Sequence, residues 1–182
     1  INSLLPTVIS RCQKINLRII SRKRIHQYLL ANKNDIGDKK ARLYSALANG
    51  SISKAEKLID NDDFIDNRKY LLNFLSSMPE TDACDIFDTV VEIKKMINDG
   101  FPFFDLISYW YRDIMLYKQN YKQAVINLDY IDNIDEMSNK YKDEELVSFI
   151  EMINNYQNHV ERNVRLDLLL QVLLLKIRSK RV

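Results

Sequence analysis

Apolar positions recur along most of this chain at intervals of three and four residues, the spacing that lines one face of a helix. Ser21 can cap a first helix with Ile25, Tyr28 and Leu29 turned inward. Asp38 can cap a second with Ala41, Tyr44, Leu47 and Ala48, and Ser51 a third with Ile52, Ala55, Leu58 and Ile59. Asn49-Gly50 reads as the stop between the second and third. These three short helices predict a small module over residues 17–61, a unit too small to bury much apolar area by itself.

Longer helices follow. Phe64, Ile65, Tyr70, Leu71, Phe74 and Leu75 line one that Met78-Pro79 ends, and Thr81 opens the next. There Ile86, Val90, Ile93 and Ile97 form a stripe stopped by Asp99-Gly100, and Pro102 suits the first turn of what comes after. Phe103, Leu106, Ile107, Trp110, Ile114 and Tyr117 hold the pattern over several turns. Residues 129–141 and 144–162 give two more helices, the second carrying Leu146, Phe149, Ile150 and Ile153.

The final helix, residues 163–178, is apolar on two faces. Leu166, Leu169, Leu170, Leu173 and Ile177 make one; Val164, Leu168, Val172 and Leu175 make the other; Asn163, Asp167, Gln171 and Arg178 form a polar strip between them. One face packs on its own bundle. The other is either interior as well or meets another subunit, which makes Leu168, Val172 and Leu175 the candidate interface residues.

The first segment has a different texture. Pro6 biases Leu5 away from helix, Thr7-Val8-Ile9 is β-branched, residues 10–13 suggest a turn, and Lys14-Ile15-Asn16-Leu17 alternates like a short strand. This reads as the last edge of a domain lying upstream, so the chain is expected to be the C-terminal part of a longer one.

Composition narrows the function classes. Glycine and proline occur three times each among 182 residues, in keeping with long helices and few tight turns. With 27 basic and 25 acidic residues the net charge is +2, too little to hold nucleic acid by bulk attraction. Cys12 and Cys84 are too isolated for a disulfide framework or a zinc site, and a reducing cytoplasm is the expected compartment. The longest apolar run, 168–175, is interrupted by Gln171 and falls far short of the roughly 20 residues that cross a bilayer.

A search for catalytic patterns is negative. His26 and His159 stand alone, and no phosphate-binding Gly-x-x-x-x-Gly-Lys-Ser/Thr loop, Gly-x-Ser-x-Gly elbow or His-Glu-x-x-His helix occurs. The acidic clusters at 60–63 and 143–145 and the basic run at 176–181 suit helix ends, where the helix dipole favours those charges. No metal site and no cofactor site is expected. Arg11 is the residue with chemistry to offer. On an exposed turn its planar guanidinium can meet a phosphate held by another molecule. For a lone Ser-Arg-Cys tripeptide, an ordinary surface ion pair is the plainer reading.

Leu5-Pro6-Thr7-Val8-Ile9-Ser10-Arg11-Cys12-Gln13 resembles the end of the AAA+ core in bacterial clamp-loader subunits, where a Leu-Pro-x-x-x-x-Ser-Arg-Cys run closes the nucleotide-binding domain. Ala48-Asn49-Gly50-Ser51-Ile52-Ser53-Lys54-Ala55 looks like a segment of that family's lid, and Asn163-Val164-Arg165-Leu166 resembles the Asn-x-Arg-Leu run of its last collar helix. The resemblance implies an all-α chain: a three-helix AAA+ lid over residues 17–61 and a helical-bundle collar over 62–182. The C-terminal remnant of an α/β AAA+ core, residues 1–16, would precede them. It implies that Arg11 acts in trans as an arginine finger on ATP bound by a neighbouring subunit, with Ser10 and Cys12 positioning it, and that this chain carries no cofactor of its own. The implied partners are the gamma/tau and delta subunits through the collar. The sliding clamp and primed DNA would be met indirectly, through the assembled loader of DNA polymerase III, with no membrane involved. ATP-hydrolysing members carry a nucleotide-sensing arginine where this chain has Ser53. Lys54 points about 100° further round the helix. That departure implies a non-hydrolysing member over gamma/tau. An unrelated helical adaptor is the remaining alternative.

Overall fold

The computed structural model of this chain describes residues 7, 11, 13, 18–33, 36–160 and 165–179. The chain divides into two compact units, Ile1–Ala55 and Glu56–Val182. Among the described residues the regular elements are all helical. Thr7, expected in an extended run, is helical instead. The strand expected over residues 14–17 lies outside the described residues.

In the first unit, α1 (Arg22–Asn32) packs against α2 (Asp38–Leu47), burying Ile25 and Leu29 on one and Ala41, Tyr44 and Leu47 on the other. The Ser21 hydroxyl accepts a hydrogen bond from Arg24 N and caps α1 as expected. Asp38 does not cap α2. Gly37 takes that position, and Asp38 sits in the first turn, where its charge suits the dipole and where it accepts from Arg42 Nε at 2.7 Å. Ser51 Oγ accepts from Lys54 N at the start of α3 (Ile52–Ile59).

Asn49 (φ 48°) and Gly50 (φ 83°) make the left-handed stop between α2 and α3. Gly50 O accepts from Ile20 N at 3.1 Å, so the chain entering α1 runs against this corner. A Cβ on Gly50 would overlap Ile19 Cγ2. Gly50→Ala combines that overlap with a disfavoured backbone angle and is expected to lower stability by about 1–3 kcal/mol. A urea melt followed at 222 nm measures it; a midpoint equal to wild type would mean the corner is not held as described.

The second unit contains α4 (Phe64–Ser77), α5 (Ala83–Asn98), α6 (Phe103–Lys118), α7 (Ile131–Lys140), α8 (Asp143–Val160) and α9 (Leu166–Ser179). Two short 3₁₀ turns, Lys122–Ala124 and Leu128–Tyr130, lie between α6 and α7. The helix α6 is central: it packs against α4, α5, α7 and α8, and it buries Phe103, Leu106, Ile107, Trp110, Tyr111 and Ile114. Tyr111, Tyr141 and Phe149 form an aromatic knot with ring centroids 5.1–5.9 Å apart. Left-handed residues end both α5 and α6. Gly100 (φ 86°) lets Phe101 N reach Met96 O, and Asn120 (φ 63°) lets Tyr121 N reach Leu116 O.

Several details depart from the periodic reading. Tyr70 is exposed, and Leu72 is buried in its place on α4, beside Leu71 and Leu75. Thr81 does not open α5. Its hydroxyl donates to Ser77 O and closes α4, while α5 starts after Asp82. Asp129 belongs to a 3₁₀ turn, and α7 begins two residues later.

The helix α9 packs along α5 and α8. It runs antiparallel to α5: Lys94 Nζ lies 3.8 Å from Asp167 Oδ1 near one end, and Arg178 Nε donates to Thr81 O at 2.6 Å near the other. Leu169, Leu170, Leu173, Leu174 and Ile177 are buried.

Candidate functional site

Arg11 lies in a turn, exposed to solvent, and forms no ion pair with another described residue. Thr7 and Gln13 on either side are exposed as well. Its expected positioning residues, Ser10 and Cys12, lie outside the described residues. Ser53 is exposed on α3, and a hydroxyl there cannot reproduce the charge of an arginine.

The second apolar face of α9 is open. Leu168 is 48% exposed and Val172 is 43%, while Leu175 is half-buried. Val164 lies outside the described residues. Beside this face, Tyr156, His159, Leu168, Leu169 and Val172 line a shallow apolar groove between α8 and α9, with Lys176 Nζ 5.8 Å from the Tyr156 ring centre. Arg165 donates to Asp167 at 2.8 Å, and this hydrogen bond with its charge holds the Asp167 carboxyl down to about 2.

Among the described residues, neither histidine sits in a metal-ligating cluster. His26 Nε2 lies 3.0 Å from Asp38 Oδ1, a carboxylate twelve residues along the chain, and His159 is exposed beside the groove. Among the described residues no cluster of three or more histidine, cysteine, aspartate or glutamate side chains can hold a metal ion. No described helix is long and apolar enough to cross a membrane.

A buried polar network, absent from the expectations, anchors the connection between α6 and α7. Asp113 is fully buried, and its Oδ2 accepts from Ile126 N (3.0 Å), Asn127 N (2.8 Å) and Asn127 Nδ2 (2.8 Å). Asn127 Oδ1 accepts from Arg68 NH2 at 2.8 Å, and the buried Arg68 guanidinium meets the Asp129 carboxylate through two bonds of 2.6 and 2.7 Å. Burial pushes the Asp113 carboxyl up, against the hydrogen bonds from Asn127 and the Arg112 charge. At Asp129 burial also raises the value, but the Arg68 hydrogen bonds and charge outweigh it and leave the carboxyl below its ordinary range. The Asp113 carboxylate, Asn127 and the Arg68–Asp129 pair brace this connection, and Arg68 Nε is the buried donor of the network left without a hydrogen-bond partner.

The sign for Asp129 follows from its lowered value. Its contribution to stability is present above the unfolded-state value, about 3.9, and is lost as pH falls through the folded value. Asp129→Asn is expected to cost roughly 1–3 kcal/mol at pH 7, because it leaves the Arg68 charge with a weaker partner. The gap to wild type should shrink below about pH 4. Thermal melts at pH 7 and pH 3 check this; a gap that widens in acid would contradict the pairing.

Comparison with known proteins places most of this unit in a known family. Residues 62–179 match the sequence family described as DNA polymerase III, delta subunit, C terminal. No curated protein and no solved structure matches the chain. The matched span includes all six helices α4 to α9, and with it the open face of α9. The chain therefore belongs to the family of C-terminal domains of the DNA polymerase III delta subunit, a helical part of the polymerase's clamp loader.

Proposed function

We propose that this chain is part of a delta-prime subunit of the DNA polymerase III clamp loader. In this reading the second unit is a collar that docks on neighbouring gamma/tau and delta subunits. Arg11 serves as an arginine finger for the ATP bound next door while the ring loads the sliding clamp onto primed DNA. The chain binds no ATP itself and performs no catalysis alone.

The observation that carries the reading is the combination of an exposed Arg11, with no ion pair among the described residues, and a family match over the collar. The matched family is described for the delta subunit, and the Ser-Arg-Cys run is what favours delta-prime within the loader. Ser53, in place of a nucleotide-sensing arginine, favours a non-hydrolysing member over gamma/tau. The open Leu168-Val172 face supports docking through α9.

The test is the ATPase rate of a complete loader carrying Arg11→Ala in the full-length protein. A large loss of turnover with normal assembly supports the finger. Unchanged turnover in a normally assembled ring overturns it.

A further inference from the structure

The net charge of +2 averages two unlike parts of the chain. Residues 1–55 carry 11 lysines and arginines against 2 acids, whereas residues 56–182 carry 16 against 23. The first unit is strongly basic and the second is acidic. At physiological salt an exposed charge is largely screened beyond about 8 Å, so a phosphate meets the local surface and not the average over the chain. The small overall charge therefore excludes little for the first unit taken by itself.

The exposed cations of this unit are uncompensated. Arg18, Lys23, Arg24, Lys39 and Lys40 are exposed and form no ion pair with another described residue. Among the described residues of this unit the one acid is Asp38, and His26 (3.0 Å) and Arg42 (2.7 Å) already share it. The His26–Asp38 contact joins α1 to α2 where the cations gather. Lys23 lies one turn before His26 on the same side of α1, and Lys39 directly follows Asp38 on α2. Arg24 and Lys40 come next, each about 100° further round its helix. Helix stability does not account for these charges. Arg22, Lys23 and Arg24 fill the first turn of α1 with no acid among them, and Lys39 and Lys40 lie in the first turn of α2. The helix dipole disfavours positive charge at both places. The acids that open α8 and the basic residues that close α9 follow the dipole, whereas these cations oppose it.

Exposed, unpaired cations held against the preference of their own helices suit a polyanion. Two observations select duplex DNA. The family matched by the second unit belongs to a DNA polymerase assembly, and the choice of DNA rests on that reading. Residues 1–55 contain no phenylalanine or tryptophan, and of their tyrosines Tyr44 is buried and Tyr28 half-buried. The described surface of the unit thus lacks the open rings on which the bases of a single strand stack. We infer that the α1–α2 seam contacts the phosphate backbone of duplex DNA directly, through Lys23, Arg24, Lys39 and Lys40. Such contacts position the protein on DNA without reading its sequence. They are separate from the role given to Arg11, which concerns a nucleotide on a neighbouring subunit.

The test titrates the full-length protein into a fluorescently labelled DNA duplex and follows anisotropy between about 50 and 200 mM salt. Lys23→Gln and Lys39→Gln should each make the slope of log K against log salt shallower by about 1 and weaken binding several-fold at the low-salt end. Lys95→Gln removes an exposed charge from α5 and should change neither. The melting temperature of Lys23→Gln should hold or rise, because a cation leaves the first turn of a helix. A fall in melting temperature together with the loss of binding would make that loss structural and overturn the contact. Slopes equal to wild type in both variants overturn it, and so does an equal loss in Lys95→Gln. Tighter, lysine-dependent binding to a single strand of the same length overturns the choice of duplex. Lysine-dependent binding to phosphatidylserine vesicles, with DNA affinity unchanged by the variants, replaces DNA with a membrane surface. Self-association that both variants relieve, again with DNA affinity unchanged, replaces it with the acidic unit of a second copy. The Arg11→Ala assay keeps the two readings apart. Unchanged turnover there with shallower slopes here removes the arginine finger and leaves the DNA contact standing; the converse removes the DNA contact alone.

Discussion

Replacing Arg11 by alanine is expected to lower ATP turnover of an assembled clamp loader by roughly 10³-fold or more, the scale for a guanidinium supplied in trans to phosphoryl transfer. The reason is electrostatic. The transferring phosphoryl group spreads negative charge over its equatorial oxygens, and a guanidinium placed there before the reaction needs no reorganisation during it. An exposed turn is a suitable platform for such a group, because Arg11 has no ion pair among the described residues that would have to break first. Arg11→Lys separates charge from shape. A lysine keeps the charge but loses the planar fork, so it should recover only a small part of the lost rate. Assembly should be unaffected in both variants, since Arg11 lies outside the matched collar span. Single-turnover hydrolysis in rings of verified composition measures the effect; full activity with alanine would reduce Arg11 to an ordinary surface residue.

The second large effect is expected at Asp113. Alanine there strands three buried donors, Ile126 N, Asn127 N and Asn127 Nδ2, and should cost about 3–5 kcal/mol. Asparagine keeps a carbonyl oxygen for those donors and should restore most of the loss. It also removes a charge whose burial is unfavourable. With a folded-state value raised above the unfolded one, Asp113 favours the folded state most at low pH and loses that contribution as pH rises through the folded value. The stability of Asp113→Asn should accordingly fall less than wild type between about pH 4 and neutrality. Denaturant titrations of the three proteins across that range decide it. Equal losses for alanine and asparagine would mean that the acceptor is not what Asp113 provides.

These two residues mark how far the sequence can be read. Arg11 is legible only through its neighbours, because a guanidinium without a phosphate nearby has no local signature. The helical stripes are legible wherever burial follows a strict three-four spacing, as in α5 and α6. The spacing fails on α4, where it turns Tyr70 inward in place of Leu72, because a tyrosine is apolar enough to fit either side. Asp113 looks like a polar gap in the α6 stripe. Its position three residues after Trp110 and one before Ile114 puts it on the buried arc, and that signal is present in the sequence. The rest of the network is not, since Arg68 and Asp129, which pair with each other beside Asn127, are 61 residues apart and no local periodicity connects them. At Asp38 the reading misses by one position because an acid suits both a cap and a first turn.

The position of α6 has a consequence for how the second unit opens. Four other helices pack on it, whereas α9 leans chiefly on α5 and α8. Backbone amides in the middle of α6 can reach solvent deuterium only when several interfaces separate at once, so their exchange reports global unfolding. Amides of α9 can exchange through a smaller detachment that leaves the α6 assembly standing. The helix that carries the open face thus belongs to a less protected layer of the unit, and a partner seated on it would slow exchange there first.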